Sequence, residues 1–139
     1  MVDVSYRTSE RFSNQFFRAL DNYRENLPKF LAPEAAVVWN GNPLGGIEEF
    51  IQMYNYMPQT RHDVTGFNVH PLPNSSVQML NLVLTTSGKV KFGSERGKDL
   101  FGFSAVFMLR QHPSDPSNLM VSSLSYRLIH RPEDSTLQM

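Results

Sequence analysis

Apolar residues recur at steps of three and four in two stretches near the start of the chain. The first predicts an amphipathic helix over residues 9–26, and its stripe comprises Phe12, Phe16, Ala19, Leu20, Tyr23 and Leu27. A second stripe covers residues 47–57 and stops at Pro58, a residue type that ends helices. Between the two, residues 35–39 are apolar and partly β-branched, so they predict a short strand.

The rest of the chain alternates apolar and polar residues and predicts strands. We expect strands at residues 64–69, 77–86, 100–111 and 119–130, turns at 70–74, 87–89 and 112–118, and a polar loop at 93–99. Helices followed by a run of strands indicate an α+β fold, in which helices pack on one face of a mostly antiparallel sheet. No stretch within residues 1–139 resembles a linker, so we predict a single domain.

The last two predicted strands differ between their two faces. One face of residues 100–111 is continuously apolar: Phe101, Phe103, Ala105, Phe107 and Leu109. The opposite face of both strands is mixed, and we predict that another protein covers it: Ser104, Val106, Met108, Arg110, Ser123, Ser125 and Arg127, with Val121 and Ile129 on the same side. A face turned to water would be plainly polar, whereas this mixture is typical of an interface with an arginine anchor. The alternative is a strongly bent sheet whose own edges cover that face.

Composition narrows the classes of function. The chain has 13 basic and 13 acidic residues, which argues against electrostatic binding to nucleic acid because phosphate contacts need a basic surplus. Cysteine is absent, so the chain forms neither a disulfide framework nor a thiolate metal site. No apolar run approaches the roughly 20 residues that span a bilayer, and we expect no membrane partner.

The residue types that usually carry catalysis are poorly placed. The histidines at positions 62, 70, 112 and 130 show no metal-binding spacing. His62 and Asp63 are neighbours at the start of a predicted strand, where adjacent residues point to opposite faces, so we interpret His62 as a structural residue. Acid–base catalysis needs a buried carboxylate, but we place every carboxylate in a helix flank or a loop. We therefore predict no catalytic residue, no cofactor and no metal site.

One short motif points to a family. The sequence Val-Trp-Asn-Gly-Asn at residues 38–42 joins a strand to a helix through a glycine-rich turn and contains the one tryptophan of the chain. Together with residues 50, 57–58, 70–73 and 126–128 it resembles the nuclear transport factor 2-like fold, also called cystatin-like, over residues 9–131. That fold is a curved antiparallel sheet with N-terminal helices packed on one face. Trp39, Asn40 and Gly41 are most similar to the family of small subunits of nuclear mRNA export receptors, the nuclear transport factor 2-like export factors.

The resemblance implies a function without catalysis. Small subunits of this family pair, sheet face to sheet face, with the nuclear transport factor 2-like domain of a larger export receptor. The heterodimer binds phenylalanine-glycine repeats of nucleoporins and carries mRNA through the nuclear pore, so that RNA or ribonucleoprotein is contacted indirectly. The resemblance thus implies shuttling between nucleus, nuclear pore and cytoplasm. Arg127 stands at the family position where an arginine pairs with an acid on the partner.

Three other functions fit the same fold. A homodimeric carrier that imports the Ran GTPase shares it, but Asn40 replaces the glutamate of a Trp-Glu-Gly motif. Isomerases and dehydratases also share it, and a buried His–Asp pair in a deep apolar cavity would favour that class. The third is an interaction domain of a different assembly.

Overall fold

The elements of the fold occur in the predicted order. The computed structural model describes residues 2–76, 79–93, 100–112 and 114–129. Its helices are α1 (Val2–Asn22), a 3₁₀ helix (Arg24–Phe30) and α2 (Ile47–Tyr56). Its strands are β1 (Leu31–Trp39), β2 (Asn42–Pro43), β3 (Thr60–Pro71), β4 (Asn81–Phe92), β5 (Leu100–His112) and β6 (Asp115–Ile129). The helices pack on one face of the sheet, so the predicted α+β architecture is confirmed.

The strands form a six-stranded sheet in the order β2-β1-β6-β5-β4-β3. Strands β3 to β6 pair as antiparallel neighbours, whereas β1 pairs with β6 in parallel. The sheet is therefore mixed but mostly antiparallel, as predicted. The parallel pair arises because α2 carries the chain from β1 to the opposite edge of the sheet, and three reversals return it beside β1.

The apolar stripe of α1 packs against the apolar face of β5, as predicted. Phe16 and Phe107 have no exposed surface, and their ring centroids lie 5.2 Å apart in an edge-to-face contact. Such contacts stabilise a core beyond the area that they bury. Tyr23 departs from the stripe and is 48% exposed, because α1 ends at Asn22 and the backbone leaves the helical conformation at Tyr23.

The predicted turn at residues 87–89 is wrong, since these residues lie inside β4. We inferred the turn from Gly88. In the structure this glycine instead allows the backbone of β3 to approach β4 closely. Opposite it, β3 bulges after Val64, and a side chain at Gly88 would collide with the backbone carbonyl of Asp63. Glycine inside a strand often marks such a site.

A second bulge changes which face one residue occupies. We predicted Val121 on the same side as Arg127, but Val121 has no exposed surface and lies in the core. Met108 pairs with Ser123 while the next residue, Leu109, pairs with Val121, so Ser122 is an extra residue in β6. An extra residue shifts the alternation by one and turns the preceding part of the strand over.

Several helices and strands begin or end at residues other than those predicted. Helix α1 begins at residue 2 and ends at 22, β1 begins at residue 31, and β4 covers 81–92. Met79, predicted inside a strand, precedes β4 and is 64% exposed. Val77, His130 and residues 94–99 of the predicted polar loop lie outside the described residues. Gly93, the first residue of that loop, has a φ of 77°.

Candidate partner interface

Six of the predicted interface residues lie together on the sheet surface that faces away from the helices. Strands β5 and β6 pair Ser104 with Arg127, Val106 with Ser125, and Met108 with Ser123. Residues opposite one another in an antiparallel pair share one face. We call these six residues the outer face.

The apolar residues of the outer face are open to solvent. Val106 is 41% exposed and Met108 is 43% exposed. The neighbouring strand adds Thr85, which pairs with Val106, and Val83, which pairs with Met108. The sheet's own edges therefore do not cover this centre, in contrast to the bent-sheet alternative.

Arg110, the seventh predicted interface residue, already has a partner within the chain. Its Nη2 lies 2.9 Å from both carboxylate oxygens of Glu34, which is on β1. The hydrogen bond from Arg110 holds the pKa of Glu34 below its usual value. Both side chains are at least 40% exposed, so this pair lies at the rim of the sheet surface and contributes little to stability.

Arg127 differs from Arg110, because no carboxylate of the described residues pairs with it. Its guanidinium passes beside Gly41, where a Cβ would lie 3.6 Å from Nη2. Gly41 has a φ of 82°, in the left-handed region that favours glycine. The turn motif and the predicted anchor, which are far apart in sequence, therefore meet at one end of the outer face.

The residues on either side of Arg127 are held by the same turn. The backbone N–H of Asn40 donates to the carbonyl of Tyr126 at 2.8 Å, and the Asn40 side-chain oxygen accepts from the N–H of Leu128 at 2.7 Å. The ring of Trp39 stacks on that of Tyr126, with centroids 4.1 Å apart and planes 2° apart. Trp39 and Asn40 thus hold the backbone of β6 at Arg127.

A buried polar network lies beneath this part of the sheet. The carboxylate of Asp21 accepts hydrogen bonds from Thr60 Oγ1 at 2.8 Å and from the backbone N–H of His62 at 2.8 Å. His62 Nδ1 lies 2.7 Å from Asp21, and His62 Nε2 lies 2.7 Å from the Tyr126 hydroxyl. A carboxylate only accepts, so Nδ1 carries a proton and, in a neutral ring, Nε2 accepts from Tyr126. Burial raises the pKa of Tyr126, which keeps that hydroxyl protonated as a donor.

The chain can be assigned to a protein family. A family model described as nuclear pore RNA shuttling protein Mtr2 matches residues 3–118. The chain belongs to the Mtr2 family. The predicted resemblance to export-receptor small subunits is confirmed at this level.

The chain is also similar to a named relative in sequence and to solved structures in fold. The Mtr2-family chain is 29% identical to NTF2-related export protein 2 of Homo sapiens over 118 residues, which cover 84% of this chain and 80% of that protein. Its fold is similar to nuclear transport factor 2 from Cryptosporidium parvum, with a TM-score of 0.73, 18% identity and coverage of 89% and 94% of the two chains. It is also similar to a chain in the crystal structure of the C. albicans Mtr2-Mex67 M domain complex, with a TM-score of 0.70, 18% identity and coverage of 94% and 99%. The predicted nuclear transport factor 2-like fold is confirmed.

Sequence reasoning missed that the Asp21 carboxylate of this Mtr2-family chain is largely enclosed. Its side chain is 11% exposed, although we had placed it on a helix flank. Two signals were available. Asp21 follows the buried Phe17 by one helical turn, and it lies in the last turn of α1, where the helix dipole disfavours an acid. Among the described residues, the His, Asp and Glu side chains do not form any group of three or more that could hold a metal ion. The helices in this part of the chain are too short or too polar to span a membrane.

Proposed function

We propose that this chain is the non-enzymatic small subunit of a heterodimeric mRNA export receptor. Its outer face binds the nuclear transport factor 2-like domain of the large subunit. The heterodimer then binds phenylalanine-glycine repeats of nucleoporins and carries mRNA through the nuclear pore, so the chain works in the nucleus, at the pore and in the cytoplasm. Membership of the Mtr2 family and the likeness to a chain of the C. albicans Mtr2-Mex67 M domain complex support this pairing.

The observation that carries the proposal is the composition of the outer face. Exposed Val106 and Met108 form an apolar centre, and serines flank them on the paired strand. Arg127 stands at one end without an acidic partner among the described residues. An apolar centre with an arginine at its margin suits a second sheet that brings its own carboxylate. Such a charge pair selects the correct partner more surely than it adds affinity.

The buried His–Asp pair does not favour an enzyme. The His62 side chain has no exposed surface, and both of its ring nitrogens bond protein groups. The rings of Phe17 and Phe103 lie 5.0 Å and 4.9 Å from the imidazole, centroid to centroid. A substrate would find neither space nor a free nitrogen beside His62, and catalysis needs both. The site is filled with protein, which supports a structural role for the pair.

The test is to reverse the charge at the predicted anchor. We expect Arg127→Asp to weaken co-purification with the large subunit at least about tenfold, because the partner's carboxylate would then face a like charge in a desolvated contact. The circular dichroism spectrum and melting temperature of the isolated chain should remain close to wild type, since Arg127 is exposed.

Arg61→Asp is the matched control, because Arg61 is an exposed arginine on the edge strand, three strands away from β6. We expect this variant to pair normally with the large subunit. Unchanged pairing of Arg127→Asp would contradict the proposed interface. A stable symmetric dimer of the lone chain in gel filtration would instead favour the homodimeric carrier.

A further inference from the structure

The turn at Asn40 and Gly41 lies where β1 stops pairing with β6. The two strands run parallel, and their last paired residues are Trp39 and Tyr126. The chain then reverses through the turn and pairs back on β1 as β2. The hydrogen bonds of β6 beyond Tyr126 on this side of the strand therefore depend on the turn.

The side chain of Asn40 supplies one of these hydrogen bonds. Its Oδ1 accepts the backbone N–H of Leu128 at 2.7 Å, while its own backbone N–H donates to the carbonyl of Tyr126 at 2.8 Å. Arg127 is the residue between these two contacts. Since a backbone N–H only donates, the oxygen of the Asn40 amide must face it, and the amide's other group is an uncharged nitrogen donor.

The charge of Arg127 lies beside the same turn. A Cβ at Gly41 would be 3.6 Å from the Nη2 atom of the guanidinium. Asn40 and Arg127 are both exposed, and no carboxylate of the described residues pairs with this arginine. The side chain at position 40 is therefore placed to influence both the backbone and the charge of Arg127.

The backbone conformation at position 40 restricts which residues fit there. Asn40 has a φ of 51°, in the left-handed region that asparagine, aspartate and glycine tolerate best. Of these three residue types, glycine has no side chain to accept from Leu128, and aspartate accepts but carries a negative charge. Asparagine thus combines the left-handed backbone, the acceptor for Leu128 and a neutral side chain.

We propose that Asn40 is a positioning and selectivity residue of the heterodimer, a role that rests on the proposed function. It holds the backbone of β6 at Arg127 and leaves the guanidinium charge unpaired for a carboxylate of the large subunit. An acid at position 40 would keep the hydrogen bond to Leu128 but would pair with Arg127 within the chain. The partner's carboxylate would then have to compete for the charge-assisted hydrogen bonds that select it.

Two substitutions separate the charge at position 40 from the hydrogen bond. Asn40→Asp keeps the acceptor and adds a charge, whereas Asn40→Gly tolerates the same φ but loses the acceptor. We expect Asn40→Asp to weaken binding to the purified large subunit at least about fivefold, and Asn40→Gly less than about threefold. The melting temperature of the isolated chain should fall more in Asn40→Gly, because only that variant loses the hydrogen bond. A purely structural residue would give the same order in both measurements.

Arg127→Gln shows whether the effect of the charge passes through Arg127. In this background Asn40→Asp should weaken binding less than about twofold, because there is no guanidinium left to neutralise. An NMR pH titration of the isolated chain tests the same contact without the partner. The pKa of the introduced carboxyl should be lower by about half a unit or more when Arg127 is present than in the double variant.

Asn14→Asp is the matched control for net charge. Asn14 is exposed on α1, on the side of the sheet opposite the outer face. This variant makes the same chemical change as Asn40→Asp but far from Arg127, and we expect it to bind the large subunit like wild type. Equal weakening by the two variants would indicate a general charge effect and would overturn the role of Asn40.

The results distinguish failure of this role from failure of the interface. If Arg127→Gln binds the large subunit like wild type, the proposed interface is wrong and the role of Asn40 is wrong with it. If Arg127→Gln weakens binding but Asn40→Asp does not, or does so equally with and without Arg127, only the role of Asn40 is overturned. An unshifted pKa of the introduced carboxyl, or weaker binding by Asn40→Gly than by Asn40→Asp, would overturn that role as well.

Discussion

Alternate residues of β5 lie on opposite faces of the sheet, and the two sets of side chains differ greatly in solvent exposure. On the inner face, Phe107 is fully buried and Leu109 is 2% exposed, whereas on the outer face Val106 and Met108 are 41% and 43% exposed. Helix α1 covers the inner face, and no described element covers the centre of the outer face. The stability of the lone chain and its pairing with a partner should therefore depend on different residues.

The largest effect is expected on the inner face. Phe107 contacts the rings of Phe12, Phe16 and Phe17 at centroid distances of 5.7, 5.2 and 6.0 Å. Phe107→Ala would leave a cavity among these rings, and we expect it to lower the free energy of unfolding by about 3–5 kcal/mol. Urea unfolding of the isolated chain measures this change. A loss below about 1 kcal/mol would mean that the helix layer does not depend on this contact.

A smaller effect is expected in the buried polar network. Tyr126→Phe keeps the stacking on Trp39 but removes the hydrogen bond to His62 Nε2. An unsatisfied buried acceptor costs about 1–3 kcal/mol, so we expect a loss of that size at pH 7. Urea unfolding at neutral pH measures it. A variant as stable as wild type would show that the hydroxyl does not contribute to the fold.

The same tyrosine makes stability depend on alkaline pH. Burial raises the pKa of Tyr126, while in the unfolded chain the hydroxyl ionises near its usual value of about 10. The stabilisation from this group is therefore complete below pH of about 10 and is lost as the pH rises further, because the unfolded state then releases a proton that the folded state keeps. In Tyr126→Phe the free energy of unfolding should fall less steeply with pH in this range. Equal slopes for the two proteins would contradict the assignment.

The smallest effect on folding is expected on the outer face. Met108→Ser removes an apolar side chain that is already 43% exposed, so the free energy of unfolding of the isolated chain should change by less than about 1 kcal/mol. Pairing with the large subunit, measured by co-purification, should weaken because the apolar centre is lost. A destabilisation as large as that of Phe107→Ala would mean that the two faces are not energetically separate.

Much of the fold could be predicted from local patterns. The stripe of α1 and the alternation of β5 placed Phe16 and Phe107 in the core correctly. The prediction failed where one extra residue changes the phase of a strand. The extra residue Ser122 places Val121 in the core. Gly88 lies inside β4, opposite the bulge after Val64, although the local sequence predicted a turn there. A bulge depends on the partner strand, which a local pattern does not contain.

The sequence predicted which residues of each strand share one side of the sheet, but not which residues of different strands lie next to each other. Alternation placed Ser104, Val106 and Met108 on one side, and the structure brings them opposite Arg127, Ser125 and Ser123. The engagement of Arg110 by Glu34 was not predictable, because the two residues are 76 positions apart and meet through strand order alone.

By itself the sequence determined the order of the elements and the two unlike faces of the last strands, because helical and strand periodicities act between near neighbours. The tertiary structure decided the parallel pairing of β1 with β6, the position of the Arg127 guanidinium beside Gly41, and the hydrogen bond between Asp21 and His62. Each of these joins residues that are distant in the chain. They form when the sheet and the helices close on one another, and local periodicity contains no information about that closure.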